Sequence, residues 1–190
     1  GMAGLQIALA AAEASVLSLL LGGGNTQVSL IVDGYAAAAA KTSRAAILAA
    51  GSLELEADGE FSATVPASIF ASLDQLGYAV DDIAIVAISA GPDSNSTTQL
   101  DGVQVEEVSA RLNLNLFSGG GAALAVSDLI DPVTFTLNVA DPGSTDCAVW
   151  DEDREVWSTE GLSKAEGSGE LKCATTHLSF FAGVIRGISK

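Results

Sequence analysis

The sequence predicts a mainly β fold: a twisted antiparallel β-sandwich preceded by a short helical segment. Three observations carry this expectation. After Gly51, apolar and polar residues alternate in short runs bounded by glycine, proline and aspartate, as in strands with one buried face. The run Ile83 to Ala90 is apolar almost throughout, as a strand covered on both faces is. From Leu5 to Leu21, by contrast, Leu5, Leu9, Ala12, Val16 and Leu19 recur at steps of four and three, the period of one helical face. With 190 residues, 48% of them apolar, the chain is long enough to close a core. The expected division is a helical segment over 1–25 and a sandwich over 26–190.

Taken in order, the helix ends at Gly22, Gly23 and Gly24. Val28, Leu30 and Val32 then alternate, with Ser29 between, which predicts a strand from Gln27 to Val32. The five alanines Ala36 to Ala40 favour helix by propensity, but their setting leaves helix and strand open. Leu53, Leu55 and Ala57 alternate with Glu54, Glu56 and Asp58. Asp58-Gly59 then turns the chain, and Phe61, Ala63 and Val65 resume the alternation as a hairpin. Pro66 closes that strand and opens a helical turn, Ala67 to Leu76, stopped by Gly77. After the buried run and the polar loop Gly91 to Gly102, strand patterns return at Val103 to Val108 and at Arg111 to Phe117. In the second of these Leu112, Leu114 and Leu116 face one way and Asn113 and Asn115 the other. Leu124 to Val126 and Asp131 to Val139 complete the series, at the spacing of a sandwich.

Composition bounds the function. Eight Lys and Arg against 24 Asp and Glu give a net charge of −16, which excludes nucleic acid and anionic lipid as natural partners. Leu5 to Leu21 is interrupted by Gln6, Glu13 and two serines and has no basic leader, so neither a membrane span nor a signal peptide is expected there. Two cysteines suit one disulfide in an oxidising compartment. The alternative is a pair of free thiols or a metal site, for which two cysteines and one histidine fall short of four zinc ligands. Asn95-Ser96-Thr97 is a glycosylation acceptor pattern in a polar loop. Asp151, Glu152, Asp153 and Glu155 lack the regular spacing of a calcium loop and read as a solvated hairpin tip; no metal and no cofactor are expected.

The chemistry concentrates in the last third. His177, the only histidine, stands two positions before Ser179 across Leu178, which places a base beside a hydroxyl nucleophile. Upstream, Cys147, Trp150, Trp157, Gly161 and Cys173 complete the pattern C-x2-W-x6-W-x3-G-x11-C-x3-H-L-S. Trp150 and Trp157 are expected to pack over a disulfide between the last strands, and Gly161 to mark a tight turn. This pattern, at 147–184, resembles the proteolysis-site (GPS) motif that closes the autoproteolysis-inducing (GAIN) domains of adhesion G-protein-coupled receptors and polycystin-like proteins. Ala63-Thr64-Val65-Pro66-Ala67-Ser68-Ile69-Phe70 and Asp131-Pro132-Val133-Thr134-Phe135-Thr136-Leu137 resemble phrases of the same β-subdomain.

The resemblance implies a single-turnover cut in the chain's own backbone rather than a turnover enzyme. His177 takes the hydroxyl proton, Ser179 attacks the Leu178 carbonyl, and the resulting ester is hydrolysed. Serine stands where threonine is more frequent. The family motif carries four cysteines; here Leu162 and Thr175 occupy two of those places, which implies one bridge, Cys147 to Cys173, and one lost as a matched pair. It further implies an ectodomain on the extracellular side of a plasma or ciliary membrane, with a membrane segment beyond Lys190 and an extracellular ligand. The cut strand, Ser179 to Lys190, would stay bound as a tethered agonist. The helical segment would be a remnant of the family's helical subdomain. The alternative is the same fold kept as an uncleaved structural or interaction module.

Overall fold

In the computed structural model, residues 2–93, 98–165 and 169–187 are described; the Asn95 acceptor pattern lies outside them. The helices are α1 (Met2–Gly22), α2 (Arg44–Ala50) and α3 (Ile69–Gln75). The strands are β1 (Gln27–Val32), β2 (Tyr35–Ser43), β3 (Ser52–Ala57), β4 (Phe61–Pro66) and β5 (Asp82–Ala90). They continue as β6 (Thr98–Leu100), β7 (Val103–Glu107), β8 (Arg111–Ser118), β9 (Ala123–Leu124) and β10 (Val133–Asn138). The last five are β11 (Asp146–Asp151), β12 (Val156–Ser158), β13 (Leu162–Ala165), β14 (Glu170–Thr175) and β15 (Phe180–Arg186).

The strands form two packed sheets. The larger runs β1-β2-β5-β8-β15-β11-β12-β6-β7, with β9 added to β8; the smaller runs β13-β14-β10-β4-β3. The inner face of the larger sheet meets the smaller one through Ile85, Leu112, Leu114, Phe135, Leu171 and Phe181, all fully buried. A second apolar layer lies on the outer face of the larger sheet, where α1 covers β2 and β5. This is why β5 is buried along nearly its whole length. Because β15 also pairs with β7, the strands β15, β11, β12, β6 and β7 close into a ring around Trp157.

The alanine run is strand. Ala36 to Ala40 pair with β1 on one edge and β5 on the other, so the ladder outweighs helix propensity. Their side chains alternate between the inner core (Ala36, Ala38, Ala40) and the face under α1 (Ala37, Ala39). Small side chains let both layers approach closely. The following helix, α2, is fixed by its caps: Ser43 accepts from Ala46 N, and Gly51, at φ +87°, donates to Ile47 O.

The buried stripe of α1 is Leu9, Ala12, Val16, Leu17 and Leu20, whereas Leu19 is 57% exposed. The expected face therefore holds through Leu9, Ala12 and Val16, with Leu5 packed against the same layer, and only its last position differs, Leu20 standing in for Leu19. The helix has length and hydropathy enough to cross a membrane, yet here that stripe is seated on the sheet, and Glu13 beside it is bonded to β8.

The tryptophans also correct an expectation. Trp150 and Trp157 do not pack over the disulfide. Cys147 and Val149 face the inner core, and Ala148 and Trp150 the outer layer, as strand alternation requires. The indoles meet edge to face at 5.2 Å, Trp157 stacks on Phe180 at 6.2 Å, and Trp157 Nε1 donates to Thr98 Oγ1.

Candidate functional site

The site is the turn from β14 to β15, Thr176 to Ser179, fixed at both ends by the sandwich. On the β14 side, Cys173 is bonded to Cys147 of β11 with a Cα–Cα separation of 6.0 Å, joining the two sheets beneath the turn. On the β15 side, Phe180 and Phe181 pair with Asn113 and Leu112 of β8, and Leu114 N donates to the Ser179 carbonyl. Along β15, Phe180, Phe181 and Val184 are buried and Ile185 is half-buried.

Between these ends the backbone is held residue by residue. Leu129 N donates to Thr176 O, Thr176 N to Gly161 O, and Leu178 N to Val126 O. Thr175, fully buried, serves His177 twice: its hydroxyl donates to His177 O at 2.6 Å and accepts from His177 N at 3.2 Å. Thr175 is also the register partner of Leu162 across β13 and β14. The two positions that the resemblance matches to further cysteines thus lie opposite each other, and from one of them the threonine hydroxyl fastens the turn.

The imidazole of His177 packs against Phe181, ring centroids 5.9 Å apart, and its Nε2 lies 2.9 Å from the carbonyl oxygen of Glu160. A carbonyl only accepts, so in the neutral ring Nε2 carries the hydrogen and Nδ1 keeps the lone pair of a base. Gly161, at φ +73°, brings the chain against the ring: a β-carbon there would sit 2.6 Å from His177 Cδ2 and 2.9 Å from Nε2. The expected turn at Gly161 is present, and the same glycine makes room for the histidine.

The turn therefore brings His177, Leu178 and Ser179 together in sequence and space, but no hydrogen bond joins His177 to Ser179. The Ser179 hydroxyl bonds to no described residue. Leu178 and Ser179 line a cleft of about 230 Å³ whose far wall is α1. The acidic segment after β11 is a hairpin tip, where Asp151 accepts from Asp153 N, Arg154 N and Arg154 Nε. That guanidinium holds the Asp151 carboxyl below its ordinary range.

Sequence reasoning missed Glu160 and Val126 as supports of the turn. Both act through backbone carbonyls, for which side-chain identity carries no signal. Thr175 had one: it stands at a cysteine position of the motif.

The family profile described as GPS: GAIN subdomain B matches residues 37–185, most of the chain. The chain belongs to that family. Among solved structures, this GAIN subdomain B is similar in fold to the full extracellular region of zebrafish Gpr126/Adgrg6. The likeness covers 82% of this chain and 23% of that one, with 13% identity and a TM-score of 0.54. The chain thus spans less than a quarter of that region. No curated protein matches it in sequence.

Proposed function

We propose that this domain cuts its own backbone once, between Leu178 and Ser179, and keeps both fragments. The observation that carries the reading is the held imidazole. Nε2 is engaged by the Glu160 carbonyl, leaving Nδ1 as a base two residues from a hydroxyl with no other described partner. His177 removes the Ser179 hydroxyl proton as Oγ bonds to the Leu178 carbonyl carbon. The tetrahedral adduct collapses by breaking the Leu178–Ser179 C–N bond, and the proton passes to the departing amine. Water then adds to the ester, its C–O bond breaks, and Ser179 regains its hydroxyl as the new amino terminus. The disulfide suits an oxidising compartment. With the family match and the zebrafish ectodomain's fold, it supports an extracellular setting beside a membrane.

A second reading keeps the fold without the reaction. In its favour, His177 is bonded to Glu160 rather than to Ser179. Intact mass of the denatured protein, beside Ser179→Ala, separates the two. Two wild-type fragments meeting at Leu178 and Ser179, with one full-length variant chain, establish the cut; a single full-length wild-type chain overturns it in favour of the uncleaved module.

A further inference from the structure

The cleft at the scissile bond holds a polar cluster that the reaction above does not use. On its far wall, Glu13 of α1 accepts through Oε2 from the side-chain amides of Asn113, at 3.0 Å, and Asn115, at 2.7 Å. Both asparagines lie on the outer face of β8 and line the cleft together with Leu178 and Ser179. The register sets them around the bond: Asn113 is the Cα partner of Phe180, and the intervening Leu114 N binds the Ser179 carbonyl. An amide has two hydrogens, and one carboxylate oxygen uses one from each. One donor per asparagine is left at the cleft. Glu13 is half-buried, and burial pushes its carboxyl up against the opposing pull of the two amide bonds. The other charged group in the cleft, Glu152, is tied to Gln6 at 2.8 Å.

Self-cleavage needs donors for the oxygen that becomes negative when Ser179 adds to the Leu178 carbonyl, and His177, occupied as base and bonded to Glu160, does not supply them. His177 stacks on inward-facing Phe181, while the asparagines stand on the opposite, outer side of the same sheet. We propose that Asn113 and Asn115 donate to this oxyanion, and that Glu13, reaching from α1, is the positioning residue that aims them. The N-terminal helix is then a working part of the cleavage site. This inference rests on the self-cleavage reading.

The test follows the cleavage rate of freshly synthesised full-length chain by intact mass, in the wild type and in four variants. Glu13→Gln keeps an acceptor oxygen and is expected to cleave within about threefold of wild type. Glu13→Leu keeps the bulk and the helix propensity but frees the amides, and is expected to slow cleavage on the order of 10- to 100-fold at an unchanged or higher melting temperature. Asn113→Ala and Asn115→Ala each remove a donor, and at least one is expected to slow cleavage about 100-fold or more. Recovery by Gln but not by Leu is the readout that a purely structural role of Glu13 does not produce. Leu and Ala variants that cleave at the wild-type rate overturn this inference and leave the self-cleavage reading standing; a wild type that stays whole overturns both.

Discussion

Gly161 and His177 are fitted to one another. The positive φ of the glycine excludes an ordinary side chain, and the space where a β-carbon would stand is already filled by the imidazole. Gly161→Ala therefore meets two penalties at one position, backbone strain of about 1 kcal/mol or more and a collision with the ring that only movement of His177 relieves. The expected outcome is a folded protein with a lowered melting temperature in which cleavage after Leu178 is lost. Circular dichroism checks the first and denaturing mass the second. An alanine variant that cleaves like wild type would mean that the imidazole need not sit against residue 161. Thr175 constrains the same histidine from the backbone, so ring and main chain of His177 are held by separate neighbours.

At the scale of elements, β13 and β14 place side by side the two positions that the resemblance matches to further cysteines. Leu162 and Thr175 are register partners in an antiparallel pair, where Cα atoms approach to about 4.5–5.5 Å, within reach of a disulfide. The double substitution Leu162→Cys and Thr175→Cys should oxidise spontaneously and close a loop worth about 3 kcal/mol, less about 1 kcal/mol for the lost threonine hydrogen bonds. A rise in melting temperature of roughly 4–8 °C is expected, and a mass two hydrogens lighter than the reduced form. Free thiols that persist under air would show that the two side chains splay apart. The elements themselves were legible where the pattern is local. The β3–β4 hairpin, the buried β5 and the alternating β8 follow from period-two runs and turn residues. The alanine run was not, because its strand state depends on β1 and β5 pairing at its two edges. The face of α1 was legible through Leu9, Ala12 and Val16, and only its last turn was not, where Leu17, Leu19, Leu20 and Leu21 are all apolar and the sheet takes Leu17 and Leu20 rather than Leu19. The side of the tryptophans was readable, because odd and even positions of β11 face opposite layers; weighing motif above alternation is what misplaced them. In the site, the triplet His177, Leu178 and Ser179 was plain in the motif. Its backbone supports and the link from Glu13 to asparagines about a hundred residues away exist only in the folded chain.

The whole molecule is strongly acidic, and two of its carboxylates sit where burial raises them. Glu13 lies on the sheet-facing side of α1, bonded to Asn113 and Asn115, and Glu107, with its side chain fully buried on β7, has Arg111 at 3.3 Å as a partial offset. A carboxyl raised on folding holds its proton more tightly in the folded state. Its contribution is present at low pH and is lost as pH rises through the raised value. Melting temperature should therefore increase as pH is lowered from neutrality toward the ordinary glutamate value of 4.5, with relief of self-repulsion adding to it. It should fall again only in stronger acid, where Asp74 and Asp151, held down by Arg44 and Arg154, lose their partners. Glu107→Gln should flatten the rise; a wild-type melting temperature that falls steadily over that interval would contradict the assignment. The same architecture decides what a cut does to the molecule. The strand beginning at Phe180 is interior to the larger sheet, laddered to β11 on one edge and to β8 and then β7 on the other. Burial of Phe180, Phe181 and Val184 supplies roughly 5–9 kcal/mol of gross apolar stabilisation, beside the hydrogen bonds of three ladders. Breaking one peptide bond in the preceding turn removes none of these contacts. Cleaved protein should therefore elute as a single species at the size of the intact domain in native chromatography, and give two masses only under denaturation. Elution of the short fragment by itself in native buffer would show that the ladders alone do not retain it.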